Sequence, residues 1–116
     1  MNRRRGARVP VAAGSGNVFA DAALPDADEL QMKAEFTRQL HNRIKALGLT
    51  QVQAGRRLGL KQPDVSRLMR GRFTGFSVDR LIALLNALQI DVEIILRPHE
   101  HDRGGRGNVR VVAAFA

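Results

Sequence analysis

The chain has no cysteine, no tryptophan and no tyrosine, and only five phenylalanines in 116 residues. Without cysteine there is no disulfide framework and no thiolate metal site, which fits a reducing cytoplasm. With aromatics at 4%, the core has to be aliphatic, built of Leu, Ile, Val and Ala. No apolar run approaches the roughly eighteen residues that a membrane span needs. The arginine-rich start is not followed by the apolar stretch of a signal peptide, so no export signal is expected. Also missing are a carboxylate pair on a definable element, a nucleophile with a plausible base, and a glycine loop that could cradle phosphate. No enzyme activity and no cofactor are expected. His99 and His101 lie near Asp102, but they have no third ligand and no rigid element, so no metal site is expected either.

What is present is positive charge, and its placement matters more than its sum of +8. Arg3, Arg4, Arg5 and Arg8 make a basic tail. From Asn17 to Phe36, five acids (Asp21, Asp26, Asp28, Glu29 and Glu35) stand against Lys33, a balance of −4. From Thr50 to Arg72, six Lys and Arg stand against Asp64, a balance of +5. A basic stretch beside an acidic one points to nucleic acid on one face and to something else on the other. The length suits one compact domain and is too short for two ordinary ones.

The basic stretch holds the clearest pattern, QVQAGRRLGLKQPDVSRLMR from Gln51 to Arg70. It reads as two short helices folded across a turn at Gly59. Thr50 is placed to cap the first helix, and Gln53, three residues on, completes a capping box. Gly59 ends that helix, because the residue past a helix end often needs a positive φ. The second helix starts near Gln62 with Pro63 in its first turn, where a missing N–H costs nothing. Ala54, Leu58 and Leu60 face Val65, Leu68 and Met69 at helical spacing, and Gly55 leaves room for the two helices to approach. The outward face of the second helix carries Lys61, Gln62, Ser66, Arg67 and Arg70. Donors and positive charge of this kind suit phosphates and guanine edges.

These residues resemble the helix-turn-helix of the phage-repressor and Cro superfamily, the XRE family. The resemblance rests on the small Gly55, the turn Gly59, the buried Val65, and the glutamines Gln51 and Gln62 that open the two helices. A longer resemblance runs from about Asn17 to Ala113, through NVFADAALPDADEL, TQVQAGRRLGLKQPDVSRLMRGRFTGFS and DVEIILRP. It is to a small group of stand-alone XRE proteins related to HigA-type antitoxins. The resemblance implies a regulator that binds a double-stranded DNA operator, and a RelE- or HigB-like toxin as a protein partner. The alternative function is a protein-interaction module that sequesters a small basic toxin and binds DNA only secondarily.

In chain order, residues 1–16 show no apolar period and are expected to be a disordered basic tail, either a DNA-reaching arm or a solvated leader. Residues 17–97 form the helix-turn-helix domain. Its opening segment, with Val18, Phe19 and Leu24, is either pinned to the core or offered to a partner. A long helix begins at Asp26 in an acidic first turn and stops at Gly48, with an apolar stripe at Leu30, Ala34, Thr37, Leu40, Ile44 and Leu47. His41 reads as a surface residue. Phe73 and Phe76 are expected to plug the side of the domain. Ser77 caps a further helix over Val78 to Leu88 whose apolar residues cover more than half its circumference. Residues 91–97 alternate like a strand. Residues 98–116 form a Gly-rich linker and another strand-like stretch. The expected fold is mainly α: a compact bundle of about four to five helices, lambda-repressor-like, with a short C-terminal β-strand or hairpin.

Roles follow from these positions. The face Lys61, Gln62, Pro63, Ser66, Arg67 and Arg70 is expected to enter the major groove, with Gln62, Ser66 and Arg67 reading bases. Gln51, Arg70 and Arg72 are expected to hold phosphates. A homodimer is expected, because repressors of this type read two half-sites about 34 Å apart. Its interface is assigned to Ile90, Val92, Ile94 and Leu96 with the outer side of Leu81, Leu85 and Leu88. The strand at 91–97 needs a neighbour, either residues 108–113 of its own chain or the same strand of a twin subunit, the arrangement favoured here.

Overall fold

Asp26, Asp28 and Glu29 open the first helix, α1 (Asp26–Ala46), where their charge complements the helix dipole, and Arg43 and Lys45 lie in its last turn. Beyond it come α2 (Gln51–Leu58), α3 (Gln62–Met69) and α4 (Val78–Ala87). Two short strands, β1 (Ala7–Val9) and β2 (Ile94–Leu96), complete the regular structure. The computed structural model describes residues 7–9, 26–99 and 105–114, the first of these by backbone alone. The segment with Val18, Phe19 and Leu24 lies outside the described residues, as do His101, Asp102 and the basic tail apart from 7–9.

Each helix starts and stops for a local reason. At α2 the Thr50 hydroxyl accepts from the Gln53 N–H (3.1 Å) and the Thr50 N–H donates to the Gln53 side chain (2.9 Å), so the expected capping box is present. Ser77 caps α4 by accepting from the Arg80 N–H at 3.1 Å. The helices end in left-handed residues, Gly48, Gly59 and Gly71 after α1, α2 and α3. After α4 that position falls to Gln89 (φ 65°), where Ile90 N–H reaches back to the Leu85 carbonyl at 3.0 Å. A side chain at positive φ costs about 1 kcal/mol or more.

Along α1 the buried stripe is Met32, Phe36, Leu40 and Ile44, at steps of four. The expected stripe placed Leu30 and Ala34 inward; both are exposed, Leu30 at 56%. Met32 and Phe36 lie two positions on, roughly 200° around the helix, and these bulkier residues take the interior. Gln39 is buried, and its amide is satisfied by donating to Glu35 Oε2 at 2.6 Å. That bond, opposed by partial burial and aided by Arg38, holds the Glu35 carboxyl below its usual range.

The same helix ties down the ends of two others. His41 donates from Nδ1 to the Met69 carbonyl (3.1 Å) at the end of α3, and Arg43 donates from Nε to the Leu88 carbonyl (2.9 Å) at the end of α4. Carbonyls at helix ends have no partner in their own helix, so these bonds answer a standing demand. His41 is therefore a half-buried tie rather than a plain surface residue.

α4 is buried along Val78, Leu81, Ile82, Leu84 and Leu85, and packs chiefly on α1. This corrects the expected dimer interface. Leu81, Leu85 and Leu88 have at most 2% exposure and lie wholly inside the domain, so they offer no outer side to a second subunit. Ile90 and Val92 are half-buried against the same core. The strand neighbour also differs. β2 pairs antiparallel with β1, Val9 opposite Ile94 and Ala7 opposite Leu96, so residues 7–9 of the expected tail are a strand. Residues 108–114 form no strand; Val109 and Val111 pack on the core, and the Val109 N–H donates to Asp28 Oδ2 at 3.2 Å.

Gly55 of α2 lies against the turn that leads into α3 and against Val65 of α3. A Cβ built on Gly55 would lie 2.7 Å from the Leu60 carbonyl oxygen and 3.5 Å from a Val65 methyl. The first distance is shorter than real Cβ contacts and involves backbone, which cannot rotate away. Gly55→Ala should therefore cost about 1–2 kcal/mol, overpacking outweighing alanine's better helix propensity, read as a lower urea midpoint. An unchanged or raised midpoint would show that the turn yields freely.

Candidate nucleic-acid interface

Gly59 turns the chain with φ +69° and an N–H bonded back to Gly55, and Lys61 in extended conformation opens α3. α3 packs inward through Val65 and Leu68, which are buried at 0% and 2%. With those two positions fixed, Lys61, Gln62, Pro63 and Arg70 are left exposed, and Ser66 is half-exposed. Ser66 accepts from Arg70 at 2.8 Å, one turn apart on the same face. Beside the start of α3 a shallow hollow is lined by Gln51, Val52, Arg56, Lys61 and Gln62. Gln51 and the first residues of α3 therefore meet, although they come from different helices.

Arg56 is a residue that spacing alone did not single out. It is exposed and lines the same hollow one turn after Val52, putting a second positive charge, with Lys61, beside Gln51. The signal was there: Arg56 follows Val52 at i+4 on an eight-residue helix, so the two share a face.

Arg67 departs from expectation. Its guanidinium donates to Asp64 Oδ1 at 3.1 Å and to the Thr74 backbone carbonyl, and stands 5.5 Å from the centroid of the buried Phe76 ring. Arg80 approaches the same ring at 4.7 Å. Arg67 thus belongs to the turn that follows α3, whereas it was expected to project with Gln62 and Ser66. Its pairing with Asp64 also cancels the single acid of α3, leaving the positive charges of Lys61 and Arg70 at the two ends of that helix. Arg72 is exposed in that turn, in a second shallow hollow with Arg67, Gly71, Phe73 and Thr74. Phe76 is buried and Phe73 half-buried against the core, as expected of side-plugging residues.

Among the described residues no three His, Asp or Glu come together as a metal set, and His99 is exposed. No helix among them is long and apolar enough to cross a membrane.

Two short helices crossing at a glycine, with the second presenting a donor-rich basic face, define a helix-turn-helix domain. The family described as a helix-turn-helix domain matches residues 18–97. A solved structure described as an XRE-family transcriptional regulator shares 44% identity, with 78% of this chain and 100% of that one covered, at a TM-score of 0.72. The chain belongs to the XRE family of helix-turn-helix transcriptional regulators. Among curated proteins no match is found.

Proposed function

We propose that this regulator acts as a repressor that reads a two-fold symmetric operator as a homodimer, with α3 in the major groove. The observation that carries the reading is the single face formed by Lys61, Gln62, Pro63, Ser66 and Arg70 next to Gln51 and Arg56. Gln62, Ser66 and Arg70 carry donors suited to base edges and are assigned to them. Gln51, Lys61, Arg56 and Arg72 flank them as phosphate contacts.

A single α3 spans only a few base pairs, which favours two copies on two half-sites. Support for the pairing surface comes from β2, where Ile95 and Leu96 are 40% and 55% exposed. Among the described residues the sheet has two strands of three residues, and each has one unpaired edge. A twin subunit docking there would cover Ile94, Ile95 and Leu96. Leu96→Lys, at an exposed site that tolerates charge, should then sediment as a monomer. It should lose tight binding to the palindrome that wild type selects from random duplexes, while keeping weak half-site binding. A wild-type protein that sediments as a monomer at micromolar concentration and selects an asymmetric site would contradict the proposal.

A second reading, antitoxin of a pair that autoregulates its operon, is supported by the resemblance to HigA-type proteins and by the start of α1. There Asp26, Asp28 and Glu29 stand beside the exposed Leu30, a charge that phosphates would repel and a small basic nuclease would attract. Co-expression with a RelE-like protein should give one complex on gel filtration; two proteins eluting apart would remove this role.

A further inference from the structure

Arg67 is held at more points than any other cation of the basic stretch, and all of them lie within the chain. Its side chain spans from Asp64 on its own helix to the Thr74 carbonyl in the turn, over the Phe76 ring. Its backbone carbonyl accepts from the Arg72 N–H at 2.9 Å, one of the two bonds, with Gly71 N–H to the Leu68 carbonyl, that close the end of α3. One residue therefore grips the turn on both sides of Phe73, at the Arg72 N–H and at the Thr74 carbonyl. We propose that Arg67 is a positioning residue that fixes Arg72 for a DNA phosphate and reads no base itself.

The chemistry of the side chain fits this task. A guanidinium has a rigid planar fork that can serve a carboxylate and a carbonyl at once while its face lies on an aromatic ring. With Asp64 beside it, its charge is already answered inside the protein. A lysine has one compact ammonium head and lacks the planar fork that holds Asp64 and Thr74 in one fixed geometry. The inference rests on the reading of α3 as the groove helix, and its test separates the two.

The test measures binding of the selected operator duplex and of a scrambled duplex across a salt series. Arg67→Lys and Arg67→Met are compared with Gln62→Ala and Arg72→Ala, and each Arg67 variant is also made in the Arg72→Ala background. Arg67→Met keeps an apolar stem on Phe76, and a urea midpoint confirms that each variant is folded. Both Arg67 variants should bind both duplexes more weakly by one common factor, roughly three- to tenfold, with the preferred sequence unchanged. Neither should lose anything further once Arg72 is alanine. Arg67→Lys is the sharpest arm, because it retains the charge and loses only the bridge. The proposal is overturned if Arg67→Lys binds like wild type, if losses at Arg67 and Arg72 multiply independently, or if an Arg67 variant relaxes one base position. A Gln62→Ala variant with unaltered sequence preference would instead count against α3 as the reading helix. The Arg67–Arg72 comparison on the scrambled duplex still stands in that case.

Discussion

The approach of α2 to α3 at Gly55 is the contact on which the rest depends. With hydrogen in place of a side chain, the Leu60 carbonyl oxygen of the turn into α3 sits only 2.7 Å from where a Cβ would be. That backbone-to-backbone packing sets where α3 starts and which of its faces is buried. Val65 and Leu68 then fill the interior, and the polar residues between them can only point out. The proposed recognition surface is thus a by-product of core packing: each outward residue is placed by an inward neighbour one or two positions away.

α1 makes that geometry durable. Its buried stripe forms one wall of the core, and its polar residues reach the carbonyl ends of α3 and α4 through His41 and Arg43. These bonds join elements far apart in sequence at the points where helices fray first. Charge is sorted by the same architecture. Three of the four acids of α1 lie in its first turn, the Asp64 of α3 is paired with Arg67, and the exposed cations Arg56, Lys61 and Arg70 lie on α2 or at the ends of α3. A charge pattern of this kind steers a polyanion toward one face at a rate that depends on salt.

Most of the helix-turn-helix was legible in the chain, because its determinants are local. Thr50 with Gln53, Gly59, Pro63 and Ser77 act within one turn, and the helix bounds agree with expectation to within a residue. What was not legible depends on tertiary contacts. The apolar face of α1 was expected to include Leu30 and Ala34, whereas tertiary packing buries Met32 and Phe36 instead. The pairing of β1 with β2 brings residues from opposite ends of the chain together, and no local period announces that. The burial of Leu88 needs all of its neighbours to be known. Arg67 had the right type and spacing for a groove-facing residue. Its engagement with Thr74 and Phe76 follows from where the turn after α3 returns.

The central claim, that packing at the crossing of α2 and α3 presents the DNA-binding face, is tested most directly by mapping backbone amides by NMR. A duplex is added at low salt, where binding does not require the operator. The account expects shifts concentrated at the start of α2, along α3 and through the turn to Ser77, with the first turn of α1 unmoved. Shifts centred on Asp26 to Leu30, with Lys61 to Arg72 unchanged, would contradict it.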